Sequence, residues 1–152
     1  MNNLKLLPVI LVLLSCGNEG VKTDEKPVDI QELAKNQPEV HGTELKEGDI
    51  TLSNPLDTTM VHAGKAIYEL KCQSCHRLTE DKLVGPGWKN VTKRRQPLWI
   101  MNMITNVEMM LESDPEAQKL LELCLVRMPN QNLNREEARQ VIEFMRNNDG
   151  EK

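Results

Sequence analysis

Cys72-Gln73-Ser74-Cys75-His76 is the stretch that decides how this chain is read. Two thiols three positions apart, with an imidazole directly after the second, form the CxxCH spacing of covalent c-type haem attachment. Thiols so placed reach the two vinyl groups on one porphyrin edge. The histidine falls beneath the ring and offers its imidazole to iron. CxxC by itself also serves thioredoxin-like redox chemistry or zinc binding. A thioredoxin-like motif opens a helix after a strand, and no strand pattern precedes Cys72. A zinc site wants two further ligands at similar spacing, and Cys124 with His62 fits poorly. A haem-free thiol or metal protein using Cys72, Cys75 and Cys124 remains the alternative from another class.

The rest of the composition agrees with a cofactor at the centre. The chain has 152 residues, enough for one ordinary domain with length to spare. Its aromatics are Tyr68, Trp88, Trp99 and Phe144 alone, a thin set for a protein-only core. A large apolar plate such as haem replaces the missing rings. The net charge of −4 and the lack of a long basic block exclude a nucleic-acid partner. No run of about 20 apolar residues exists, so no spanning helix is expected.

Two regions precede the motif-bearing domain. Residues 6–14 are an apolar run after Lys5, the length of a signal h-region. The run ends Leu13-Leu14-Ser15-Cys16-Gly17, which resembles a bacterial lipobox. The resemblance implies removal of residues 1–15 and diacylglycerol on Cys16. An ordinary secretory signal with an incidental cysteine is the plainer alternative. An acyl anchor holds a domain at a membrane through about 0.8 kcal/mol per buried CH₂. Residues 16–57 read as lipidated cysteine plus acidic tether. From residue 17 to 57, ten acids face four lysines, with Pro27, Pro38, Pro55 and no aromatic. Such composition buries too little apolar area to offset ordering entropy, so the segment is expected to be mostly disordered. The alternative is an N-terminal extension packed on the domain. His41 lies here and receives no role.

Over residues 58–149 the sequence resembles the class I cytochromes c, which implies an all-α fold. In that fold N- and C-terminal helices cross and shorter helices wrap one haem. Gly64 and Tyr68 stand where the family has a glycine and an aromatic four apart on its first helix. Read from the residues alone, Met60, Ala63, Ile67 and Leu70 make an apolar face at helical spacing, and Gly64 permits a close crossing. Gly85-Pro86 follows the motif; the resemblance implies that the Pro86 carbonyl accepts from His76, fixing the ring. A plain turn explains Gly-Pro equally well.

The same resemblance implies methionine as sixth ligand. Arg127-Met128-Pro129 precedes a helix start at Asn134, with Glu137 at the third position of a capping box. Ala138, Val141, Ile142 and Met145, with Phe144 beside them, are its apolar side. Met128 is favoured over Met101, Met103, Met109 and Met110 because it alone precedes a proline one loop before a capped helix. A five-coordinate iron, or a bis-His one using His62, is the bland alternative. Between the ligands, Arg94, Arg95 and Trp99 stand where family members often bond haem propionates. Trp99 is either haem wall or core, and Trp88 is a candidate cover for the haem edge. Pro97 and Asp114-Pro115 start further helices, the second with Ala117, Leu120, Leu121 and Cys124 on its apolar face. Cys124 reads as a small buried apolar residue. A free exported thiol also invites an intermolecular disulfide or metal capture.

The expected function is single-electron transfer, not enzymatic turnover, by one covalent haem c. Its iron cycles between Fe(III) and Fe(II) with His76 and Met128 as axial ligands. Export to the periplasm or cell surface follows from the lipobox. A quinol-oxidising complex is the expected donor, and a terminal oxidase or nitrogen-oxide reductase the acceptor. Lys82, Lys89 and Lys93 either ring the haem edge and steer an acidic partner or form a solvated basic loop. A gas sensor or enzyme module with a labile sixth ligand is the rival reading.

Overall fold

The computed structural model describes residues 43–152. The signal peptide 1–15, Cys16, His41 and the acidic stretch up to residue 42 lie outside the described residues. Helix α1 (Thr58–Ile67) starts at Asp57, whose carboxylate accepts from the Thr59 and Met60 amides at 2.8 and 3.1 Å. It runs into a π-helical turn, Tyr68–Cys72, closed by Gln73 N–H on the Tyr68 carbonyl at 2.9 Å. A loop then leads to α2 (Val91–Arg94), α3 (Pro97–Thr105), α4 (Val107–Ser113), α5 (Pro115–Cys124) and α6 (Arg135–Asn148). Among the described residues there is no strand, only one antiparallel bridge between His76 and Lys82. The all-α expectation holds.

Helices α1, α4, α5 and α6 start where the sequence offers a side-chain cap. The Asn134 side chain accepts from Glu137 N–H and the Glu137 carboxylate accepts from Asn134 N–H, both at 2.9 Å. Asp114 caps α5 through Ala117 N–H at 2.7 Å, with Pro115 next to it. Asp149, just past α6, caps α2 instead: its carboxylate accepts from Asn90 N–H, Thr92 N–H and the Thr92 hydroxyl. That bond ties the C-terminus to the wall that carries Arg94 and Arg95.

The core forms where α1 and α6 cross at Gly64. A Cβ there would lie 2.0 Å from the Gln140 carbonyl oxygen and 3.0 Å from Phe144 Cβ. Ala138, Val141, Ile142, Phe144 and Met145 are all buried, as their spacing predicts. Tyr68 packs between Phe144 and Trp88, with ring centroids 5.4 and 5.0 Å away. The expected face of the first helix needs one correction. Ile67 joins the core, but Leu70 is 82% exposed and Gly64, Tyr68 and Cys72 are the buried positions. The α-helical periodicity that placed Leu70 inward stops at Ile67, where the π turn takes over.

A second correction concerns residues 43–57, which pack on the helices instead of extending the tether. Leu45 is buried, and its N–H and C=O both bond the Asn102 side-chain amide, at 2.9 and 3.1 Å. Arg139 donates to the Thr51 carbonyl at 2.8 Å and Arg146 to the Ser53 carbonyl at 2.9 Å. Both arginines also hold the fully buried Glu143. Burying that carboxylate is tolerable only because it is paired on both sides. Composition favoured disorder, whereas the α6 partners of this segment lie some 90 positions away and are invisible to local reading.

Gly64→Ala is expected to destabilise the haem-loaded protein by about 3 kcal/mol, because the Gln140 backbone must move to admit the methyl. Denaturant unfolding followed by tryptophan emission measures it.

Candidate functional site

The motif leaves the π turn as a tight coil. Cys75 N–H and His76 N–H both donate to the Cys72 carbonyl, at 3.0 and 2.9 Å. The following loop folds back beneath the histidine: Gly85 N–H reaches the Cys75 carbonyl at 2.9 Å and Trp88 N–H the Arg77 carbonyl at 2.8 Å. His76 Nδ1 then lies 2.9 Å from the Pro86 carbonyl oxygen, to which it donates. The expected partner is therefore in place. This bond directs the lone pair to Nε2, the nitrogen left to bind a metal. Burial lowers the imidazole pKa from its ordinary value, and the Pro86 carbonyl pulls the other way.

Three further residues fix this histidine. The Tyr68 hydroxyl donates to the His76 carbonyl at 2.9 Å. Trp88 lies against the imidazole, with centroids 5.3 Å apart. Gly85 leaves room for the ring, since a Cβ there would fall 2.4 Å from His76 Cε1. Gly87 is needed one step on, where a Cβ would meet the Thr79 carbonyl oxygen at 2.2 Å. The roles of Tyr68 and Trp88 toward His76, and of Gly87 in closing the loop on Thr79, escaped the sequence reading, because they depend on how the loop closes.

His76 and Cys75 form one wall of an open cavity with about 1040 Å³ of empty space, mouth included. Met128 stands on the same cavity, with Leu120, Leu121 and Cys124 of α5. Met103 also lines it, whereas Met101 and Met110 are core filler and Met109 packs in the second hydrophobic cluster. His62 is exposed on α1 and does not line the cavity. Cys72 is buried in the adjoining core, which pushes its thiol pKa up to about 11.

Arg94, Arg95 and Trp99 line the cavity too. Arg94 Nη2 donates to the Gly87 and Lys89 carbonyls at 2.9 and 3.2 Å. Arg95 pairs with Glu116 and lies 4.7 Å from the Trp99 ring centroid. Lys119 and Arg95 hold the Glu116 carboxyl below the usual carboxylate range. Trp99 Nε1 is a buried donor without an acceptor. A donor in that state is costly unless a ligand accepts from it. The cavity thus fits haem on three counts: thiols beside it, an oriented imidazole and soft thioether on its walls, and an orphaned donor suited to a propionate.

The basic residues expected around the mouth are partly engaged. Lys82 Nζ donates to the Leu123 carbonyl at 2.7 Å, and Lys89 pairs with Glu80 at 3.2 Å. Among the described residues no group of three or more His, Cys, Asp or Glu gathers to hold a metal ion.

A family model described as cytochrome c matches residues 61–149. The chain belongs to the cytochrome c family. Solved structures agree with the assignment. Cytochrome c from Rhodothermus marinus is 31% identical, with a TM-score of 0.64, covering 66% of this chain and 85% of its own. An engineered form of that cytochrome is 29% identical, with a TM-score of 0.63, covering 66% and 86%. The engineered form bound to a carbene intermediate is 30% identical, with a TM-score of 0.60 and the same coverage. No curated protein matches the chain. The chain is thus a class I, monohaem cytochrome c. It holds haem c covalently through Cys72 and Cys75, whose CxxCH spacing is the family's attachment motif.

Gly85→Ala in this cytochrome is expected to displace the His76 ring and break its bond to Pro86. The expected cost is about 2 kcal/mol of stability, read by denaturant unfolding.

Proposed function

We propose that this cytochrome is a membrane-tethered single-electron carrier with His76 and Met128 as axial ligands. The observation that carries the reading is a shared cavity: an imidazole oriented by the Pro86 carbonyl and the Met128 thioether both line it. Haem c supplies the Fe(III)/Fe(II) couple. Cys72 and Cys75 hold it to the motif. Pro86 and Trp88 keep the imidazole plane fixed, so little reorganisation accompanies a change of iron charge. Leu120, Leu121 and Ile104 keep water from the thioether side. Trp99 Nε1 would donate to a propionate, with Arg94 and Arg95 as flanking positive charge. Two protein ligands leave no position for a substrate, in keeping with a carrier.

Placement at a membrane rests on the lipobox resemblance at residues 13–17, with Cys16 as the lipidated residue. No helix among the described residues is long and apolar enough to cross a membrane. Because residues 43–57 pack on the domain, residues 17–42 are what separates Cys16 from the packed segment. Partners on one face of a bacterial membrane suit this arrangement: a quinol-oxidising complex as donor, and a terminal oxidase or nitrogen-oxide reductase as acceptor. A second reading, in which an outside ligand binds on the Met128 side, is favoured by the loop position of Met128 and by the engineered relative.

Optical spectra of the exported protein test the proposal. A far-red methionine–iron band and no response of the reduced protein to carbon monoxide support the carrier; a clear response favours the second reading. Met128→Ala should lower the reduction potential by on the order of 100 mV and admit carbon monoxide. An unchanged potential would place the ligand elsewhere. Trp99→Phe keeps the ring but removes the donor, and should lower the potential by on the order of tens of millivolts. Cys16→Ala should move the cytochrome from the membrane to the soluble fraction.

A further inference from the structure

Met128 sits on a loop, residues 125–134, with no helix of its own to hold it. Leu133, fully buried, anchors the far end of that loop. Two lysines from the haem-attachment segment reach across to the Met128 segment. Lys71, directly before Cys72, donates through Nζ to the Gln131 carbonyl at 3.0 Å. Lys82, whose backbone bridges to His76, donates through Nζ to the Leu123 carbonyl at 2.7 Å. The two acceptors bracket Met128, one on each side in sequence. Leu123 is also in the last turn of α5, where carbonyls lack intrahelical donors and the helix end favours a cation.

We propose that Lys71 and Lys82 form a clasp that positions Met128. They tie the segment bearing Cys72, Cys75 and His76 to the segment bearing the sixth ligand, on both sides of Met128. Neither lysine touches the iron; Lys71 acts through the backbone of the loop and Lys82 through the last turn of α5, from which the loop leaves. The proposal rests on Met128 as ligand. It also reassigns Lys82, whose ammonium is directed at a carbonyl of its own chain and is not a free charge for steering a partner. The physical basis is the difference between an anchored and an unanchored loop. The thioether bond competes with any incoming ligand, and the energy of pulling the loop away adds to the cost of that ligand's entry. A charged donor on a carbonyl is a stronger bond than a neutral one, and solvent exposure reduces what it contributes.

The test replaces both donors while keeping the aliphatic stems: Lys71→Met with Lys82→Met, in the haem-loaded protein. The readout is the affinity of the oxidised protein for added imidazole at fixed salt, with the far-red band as a direct view of the thioether. The double variant should bind imidazole roughly tenfold more tightly, about 1.4 kcal/mol, with full covalent haem content. Each single variant should show a smaller gain. Lys71→Arg with Lys82→Arg keeps both charged donors and should return the affinity toward that of the unaltered protein. A purely structural role would lower the unfolding midpoint of the double variant and leave its imidazole affinity unchanged. That result, in a protein whose unaltered form shows the far-red band, overturns the clasp alone. Absence of the band from the unaltered protein overturns the ligand assignment and the clasp together.

Discussion

The missing side chain at Gly64 is the constraint on which the rest depends. It lets the backbone of α1 meet the Gln140 carbonyl of α6 at a distance no Cβ would allow. That contact sets Tyr68 one turn on between Phe144 and Trp88. From there the Tyr68 hydroxyl reaches the His76 carbonyl, and Trp88 lies on the imidazole. A crossing of two helices thereby fixes the His76 imidazole on a loop that has no regular structure of its own. Core packing and site geometry are one chain of contacts.

The site shows how a small, aromatic-poor chain manages polar groups around an apolar cofactor. His76 has its Nδ1 satisfied by the Pro86 carbonyl, which leaves Nε2 as the nitrogen with a free lone pair. Burial disfavours its protonated form, which is the state that cannot bind metal. Trp99 Nε1 is the complementary case, a buried donor with no acceptor from the described residues. Arg94 is bonded to carbonyls of the loop that holds Pro86, so the same residue stabilises the histidine's support and keeps positive charge near the cavity. The carbonyl bonds of Lys71 and Lys82 extend that economy to the methionine side.

The segment 43–57 illustrates a different balance. Its residues are polar and acidic, with few apolar side chains. It is held by Leu45 in the core, with Ile50 and Leu52 packed against it, and by bonds from Arg139 and Arg146 to its carbonyls and between Asn102 and Leu45. Buried Glu143 orients those arginines. A hydrophobicity argument therefore underestimates such a segment, because its partners are charges on a distant helix.

The sequence by itself determined the chemistry and the helical frame. CxxCH, Gly64 and the Asn134 to Glu137 box are short patterns whose meaning lies in local spacing, and local spacing is written in the chain. The face of α6 was legible for the same reason, since one periodicity runs through it unbroken. Leu70 was misplaced because a π turn interrupts the period, and residues 43–57 because their bonds span roughly half the chain. Only the tertiary structure decided that Tyr68 and Trp88 would brace His76. It alone brought Met128 and Trp99 to the same cavity as that imidazole, and turned Lys82 toward Leu123. Those are long-range closures: they follow from how segments far apart in sequence are brought together, and no window of residues contains that information.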